Sequence, residues 1–302
     1  MAVNSHWESR SRRSSRRSSK IKSRILPKNA SSTLSSRERA IVVQSEVIEG
    51  LLGKLEGCGE DCPESQLELI DQHVTLKHLN SFGKQVVIRI FRSSDRFRVY
   101  KADFDHYILP HSVLFLIGTL CESFDYTNTS PMFGLSFLDV GCGALSRYSQ
   151  TDTDQDLLAK FHSDRPPIAP EMMQMLGART IGVDPRENCA EDYDYQAGYR
   201  HLSMEFEAIA PWLKNTQQQF DVISGLNLFS RQGFLFNHAT PESVVKFLKA
   251  LRRGLVAEGL LYVSPPHVPS NSENRCANRR IFMRAGFRIL YEGYFFILQK
   301  TK

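Results

Sequence analysis

From about Leu135 onward, short apolar runs alternate with longer amphipathic ones, and this alternation restricts the chain to strands separated by helices in a parallel sheet. Strands are expected at residues 136–140, 180–183, around His201, 221–225 and 259–263, with helices at 171–177, 205–214 and 241–257. After a further helix over 274–285, the runs 287–291 and 294–299 meet at Glu292-Gly293. That link is a tight turn, whereas a parallel return needs a dozen or more residues, so one strand must run backwards. The expectation for 131–302 is an α/β domain: a doubly wound, mostly parallel, seven-stranded sheet with an antiparallel last strand.

The charge is unevenly placed. Residues 1–40 hold eleven Lys/Arg against Glu8 and Glu38, a net of +9, so the chain total of +5 leaves −4 for the rest. Residues 9–24, SRSRRSSRRSSKIKSR, carry too little apolar surface to offset the entropy of ordering, and residues 1–35 are expected to form a disordered basic tail. Such a tail suits attraction to nucleic acid or another acidic partner, an Arg/Ser-rich targeting segment for nucleus or organelle, a phosphorylatable arm, or mere solubilisation. The pI near 8.9 accordingly describes the tail and not a binding face of the core.

Between tail and sheet, residues 36–130 are expected to form a small α+β module. Ser35-Ser36-Arg37-Glu38 supplies helix-capping chemistry, and Ile41, Val42, Ile48, Leu51, Leu52 and Leu55 follow at helical spacing until Gly57-Cys58-Gly59. A second helical run covers 67–79, and strands are expected at 85–91 and 97–100 around Ser93-Ser94-Asp95. His73, His78, His106 and His111 match no ligand spacing. The longest apolar stretch, 107–119, is interrupted by Pro110 and His111 and falls short of the roughly 20 residues of a membrane span. Cysteines at 58, 62, 121, 142, 189 and 276 are scattered. They read as reduced thiols in the cytoplasm, and Cys58/Cys62 lack the second pair that a zinc site needs.

Two strand ends carry the chemistry. Phe137-Leu138-Asp139-Val140-Gly141-Cys142-Gly143 is a buried strand entering a glycine turn, where missing β-carbons permit close approach of a ligand. A carboxylate there suits a cationic amine and disfavours a pyrophosphate. Ile181-Gly182-Val183-Asp184-Pro185 ends a second strand in an acid able to accept hydrogen bonds from ribose hydroxyls.

With both landmarks in place, residues 135–300 resemble the class I S-adenosylmethionine-dependent methyltransferases. The resemblance implies S-adenosyl-L-methionine as cofactor. It assigns Asp139, Gly141, Cys142 and Gly143 to the loop after the first strand, Asp184 and Pro185 to the ribose side, and Leu226 to the segment 220–227 bordering the reaction centre. Gly259-Leu260-Leu261-Tyr262-Val263 looks like the family's fifth strand. The sequence departs from the pattern at Ala144-Leu145-Ser146, where a further glycine is common. It departs again in the 41 positions separating Gly143 from Asp184, a gap that points to an insertion at 149–170. It also departs at His201-Leu202-Ser203-Met204-Glu205, which lacks an adenine-binding acid and leaves Ser203 or a backbone group to serve.

Methyl transfer from a sulfonium needs positioning more than a base, so no catalytic residue is assigned; Tyr148, Asn227 and His238 are polar groups near the expected centre. Ser264-Pro265-Pro266-His267 resembles the Asn/Asp-Pro-Pro-aromatic signature of enzymes that methylate planar amines, but it follows the fifth strand where that signature follows the fourth, which weighs against nucleobase amino methylation. The expected acceptor is a small molecule covered by 36–130 and 149–170. An RNA- or protein-directed enzyme using the tail is the alternative, as is a scaffold without catalysis. A nicotinamide enzyme is disfavoured, because Ser146 stands where a dinucleotide loop wants its last glycine.

Overall fold

The computed structural model describes residues 34–55, 111–123, 132–144, 167–189, 198–226, 228, 240–264, 266 and 272–301. Residues 1–33 of the tail, the Cys58/Cys62 pair, the expected elements at 67–79, 85–91 and 97–100, most of the 149–170 segment, and Tyr148, Asn227 and His238 lie outside them.

Seven strands form one sheet: β1 (Ser136–Val140), β2 (Arg179–Asp184), β3 (Arg200–Ser203), β4 (Phe220–Gly225), β5 (Leu255–Val263), β6 (Phe287–Glu292) and β7 (Phe296–Lys300). Their spatial order is β3-β2-β1-β4-β5-β7-β6. The first five are parallel, and β7 runs against both of its neighbours, as the short link at Glu292-Gly293 requires. At the amino edge, Asp221 Oδ2 accepts from Ser136 N at 2.8 Å and Ser136 Oγ at 2.7 Å, pinning β4 to β1.

Alternation along the strands divides the core in two. Phe137, Val222, Leu260, Tyr262 and Ile297 point to one face, which packs α1 (Ser36–Leu55), α2 (His111–Ser123) and α3 (Ile168–Met175). Leu138, Ile223, Leu261, Val263 and Leu298 point to the other, which packs α4 (Phe206–Thr216), α5 (Pro241–Arg253) and α6 (Ser272–Arg284).

α1 begins with a reciprocal capping box: Glu38 N donates to Ser35 Oγ at 3.2 Å and Ser35 N donates to Glu38 Oε2 at 2.8 Å. Glu38 also pairs with Arg288 of β6, and Glu49 Oε1 accepts from Phe295 N at 3.1 Å. α1 is thereby fastened to the terminal hairpin in its first turn and again at Glu49. α2 begins within the 107–119 apolar run and continues past it, with Phe115, Leu116 and Leu120 fully buried. The buried Thr119 Oγ1 bonds to the Phe115 carbonyl at 2.7 Å and the Tyr262 hydroxyl at 3.0 Å. Both helices from 36–130 therefore share the sheet's own core.

Most boundaries lie within about three residues of expectation, and the largest departures meet at Gly254. The helix expected to reach 257 stops at Arg253, because Gly254 O accepts from Phe220 N at 2.8 Å and the chain enters β5 at once. Residues 255–258 then bulge, with Glu258 at φ +61°, before regular pairing resumes at Leu260.

Candidate functional site

The carboxyl ends of β1, β2 and β4 meet at one locus, the position where ligands bind in open α/β sheets. Asp139 is the penultimate residue of β1, opposite Gly182 of β2 and Ser224 of β4. Its side chain is buried. Burial raises the carboxyl, the Ser224 hydroxyl lowers it and the nearby Asp184 charge raises it again, which leaves it pushed up to about 7. Ser224 Oγ is itself buried and makes no hydrogen bond of good geometry among the described residues. Asp139 and Ser224 together thus hold polar capacity that the protein leaves open.

The turn after β1 takes left-handed backbone at Gly141 (φ +73°) and Gly143 (φ +89°), conformations that a side chain would strain. Its amides are already engaged. Gly141 N and Cys142 N donate to Val183 O at 2.8 and 3.1 Å, and Gly143 N donates to Asp184 Oδ2 at 3.0 Å. A loop that cradles phosphate needs those N–H groups free and aimed outward, so this turn can offer bare backbone and a carboxylate but no anion nest. Below Gly141 lie Leu228 and Phe206, an apolar floor.

Asp184 ends β2 and is buried. Its Oδ1 accepts from Arg186 N and Arg186 Nε, each at 3.1 Å. Asp184 is therefore a joint between the two strand ends. Oδ2 holds the glycine turn, Oδ1 holds the loop after β2, and Arg186, at 43% exposure, covers it from solvent.

Around the joint sit side chains that the sequence did not single out as site residues. His201 Nε2 lies 2.9 Å from Arg186 O; a carbonyl only accepts, so Nε2 carries the proton. Nδ1, on the other side of the ring, lies 3.0 Å from the Tyr199 hydroxyl, to which Asn188 Nδ2 donates at 3.3 Å. Cys142 Sγ is 3.8 Å from His201 Nδ1 and 3.2 Å from Gly143 O. Burial, then the Asp139 and Asp184 charges, push the Cys142 thiol well up, so it is a packed thiol and not a nucleophile. A β-carbon on Gly182 would come within 2.6 Å of the Tyr199 ring and 2.9 Å of Cys142 Sγ, which explains a glycine in mid-strand.

The remaining expected residues serve through backbone or local bonds. Ser203 Oγ donates to Pro185 O at 3.0 Å, tying β3 to the loop after β2. The Leu226 carbonyl accepts from Ser264 Oγ at 2.7 Å, which joins the ends of β4 and β5. All eight expected residues thus cluster at the strand ends. Among the described residues no group of three or more His, Cys, Asp or Glu side chains is placed to hold a metal ion. No described helix is long and apolar enough to cross a membrane.

No protein-family model matches the chain, and no curated protein matches it. Solved structures do match over part of the chain. One is the 16S rRNA methyltransferase RsmC of T. Thermophilus in complex with AdoMet and guanosine, at 16% identity and TM-score 0.37 over 66% of this chain; the match spans 45% of that protein's length. A TehB-like SAM-dependent methyltransferase from Corynebacterium glutamicum is 13% identical, with TM-score 0.38, over 70% of this chain and 97% of its own. The antibiotic-resistance methyltransferase Kmr is 14% identical, with TM-score 0.36, over 56% and 88%. At these similarities none of the three says what this chain binds or modifies. The strand order 3-2-1-4-5-7-6 with a reversed seventh strand and helices on both faces is the class I methyltransferase fold, and this chain has it.

Proposed function

We propose that the chain binds S-adenosyl-L-methionine at the ends of β1 and β2 and transfers its methyl group. The observation that carries this reading is Asp139, a buried carboxylate without a cationic partner among the described residues, beside a Ser224 hydroxyl that makes no hydrogen bond of good geometry and a turn whose amides are already engaged. A positively charged α-amine fits that environment; a pyrophosphate does not.

Asp139 would accept the cofactor's ammonium group, with Ser224 as a second polar contact. Gly141 and Gly143 would admit the ligand close to the backbone. Asp184 has lone pairs left on Oδ2 for ribose hydroxyls, while Arg186 Nε would have to yield on Oδ1. Ser203 donates its own proton to Pro185 O, so its oxygen still has acceptor capacity for an adenine amine. When bound, the sulfonium supplies an activated methyl group, which is why no general base is assigned. The protein's task is orientation and exclusion of water by Leu228, Phe206 and the strand ends.

The acceptor expected from the sequence is a small molecule. A nucleic-acid acceptor is the second reading, favoured by the cationic helix face described below. Isothermal titration with S-adenosyl-L-methionine tests the cofactor: micromolar affinity is expected, with loss of the heat in Asp139→Ala/Asp184→Ala. No heat and no rise in melting temperature at high ligand excess would instead indicate a scaffold, since binding must stabilise the native state by mass action. Incubation with cofactor labelled in the methyl group and a cell extract then separates the acceptors, by whether label enters the small-molecule or the polymer fraction.

A further inference from the structure

The helical layer opposite α1–α3 carries an excess of positive charge that the chain's totals conceal. α5 holds Lys246, Lys249, Arg252 and Arg253 against Glu242, and α6 holds Arg275, Arg279, Arg280 and Arg284 against Glu273, a net of +3 each. Residues 41–302 sum to −4, so everything in that span outside these two helices sums to −10. The segregation is spatial as well as sequential. α5 and α6 pack side by side, joined at an exposed Arg284–Glu242 pair 3.7 Å apart.

Lys246, Lys249 and Arg253 recur at i, i+3 and i+7, which sets them on one stripe about 10 Å long, and all three are exposed. Arg280 is exposed on the side of α6 that carries Arg284 toward α5. None of these four has a charge partner among the described residues. At the end of the stripe, Arg253 shares a hollow with Lys214 of α4 and the amides of Gln217, Gln218 and Gln219. Arg252, Arg253 and Arg284 sit in last helical turns, where cations complement the helix dipole and need no further reason. Lys246, Lys249 and Arg280 do not sit there.

We infer that the α5–α6 face binds the phosphodiester backbone of a nucleic acid. Cations at successive helical turns can follow a chain of phosphates, and the Gln217–Gln219 amides add sequence-neutral hydrogen bonds. An anionic membrane fits less well. Adsorption to a bilayer needs a continuous apolar side to bury, yet Val244, Val245, Leu248, Leu251, Ile281 and Phe282 all face the protein core, and Met283 of α6 is a single exposed apolar side chain and not a stripe. This inference stands apart from the methyl-transfer reading, because the binding it describes needs neither cofactor nor turnover.

The test uses the full chain, without cofactor, and a fluorescently labelled 30-nucleotide RNA of mixed sequence, with anisotropy measured across a salt series. Lys246→Glu/Lys249→Glu is compared with Arg39→Glu/Arg179→Glu, which makes the same change in net charge away from the face and leaves residues 1–35 intact. The first is expected to weaken binding about tenfold near 50 mM salt and to flatten the logarithmic salt dependence by about 1.4, for two lost single-strand phosphate contacts. The second should change affinity less than twofold. Equal weakening by both would assign the binding to overall charge and overturn the face, as would no RNA binding by the parent chain. Lys246→Gln/Lys249→Gln, a milder pair, should lose at least threefold, and it serves if the charge reversal fails to fold by circular dichroism. Binding to phosphatidylserine vesicles but not to RNA would also overturn the inference.

Discussion

Asp139→Asn should make the ligand-free protein more stable at alkaline pH while abolishing its ligand. The carboxyl titrates at its ordinary 3.8 when unfolded and at about 7 when folded. Between those values the folded state holds the proton and the unfolded state releases it, so stability contributed by the protonated form is intact below about pH 4 and is lost as pH rises toward 7. With about 1.4 kcal/mol per pKa unit, the full penalty above pH 7 is about 4 kcal/mol, more than half of which accrues between pH 5 and pH 8. Asparagine removes the titration but still buries an amide, and imperfect pairing with Ser224 costs about 1–3 kcal/mol at every pH. Urea unfolding followed by circular dichroism should therefore give a variant roughly level with the parent at pH 5 and about 1–3 kcal/mol more stable at pH 8. Parallel pH profiles for the two proteins would refute the reasoning, because they would mean that Asp139 ionises normally in the fold.

Three further outcomes follow from the same geometry. If an ammonium ligand binds ionised Asp139, its affinity should be level above pH 7 and fall about tenfold per unit below it, as the free protein takes up the proton; calorimetry from pH 5.5 to 8 would show a flat profile if another group accepts the amine. Gly182→Ala should lower stability by about 1–3 kcal/mol, because its β-carbon meets the Tyr199 ring and Cys142 Sγ, and it should weaken cofactor binding by displacing the glycine turn; an unchanged melting temperature would show the contact to be soft. Glu49→Ala leaves the Phe295 amide without its acceptor, so a loss of about 1–3 kcal/mol is expected in denaturant unfolding, against no loss if α1 only rests on the hairpin.

The sheet was legible because its evidence is local. Ser136–Val140 and Phe296–Lys300 each carry a short run of consecutive apolar residues, the Glu292-Gly293 link is too short for anything but a reversal, and Ser35 with Glu38 spells a capping box. The end of α5 was not, since Leu255 and Val256 continue an apolar pattern that a helix could equally have used, and only pairing with Phe220 decides otherwise. The site divides in the same way. Asp139 and Asp184 stand out because an acid closing an apolar strand is conspicuous in one dimension. Ser224 becomes a partner of Asp139 only through the β1–β4 register, and Arg186, Asn188, Tyr199 and His201 converge only once β3 lies beside β2. Spacing carries no trace of such cross-strand meetings.

Charge shows the same limit of one-dimensional reading, with a sharper physical cause. A sum over residues 41–302 lets carboxylates cancel α5 and α6, and the total of −4 argues against a cationic core. An approaching polyanion performs no such sum. At physiological ionic strength the screening length is about 8 Å, so a phosphate over Lys246 and Lys249 feels its near neighbours on the helix layer and almost nothing of acids at the far side of the sheet. The relevant quantity is the charge within one screening length of the contact, and only the fold assigns residues to that sphere. Because Lys246 and Arg280 lie on different helices some thirty residues apart, they come to act together only when the β4–α5–β5–α6 crossover is formed. A binding surface made this way should be lost whenever that layer unfolds, even if the basic residues 1–35 remain attached, and salt-dependent RNA affinity measured through a urea transition would separate the two contributions within a single protein.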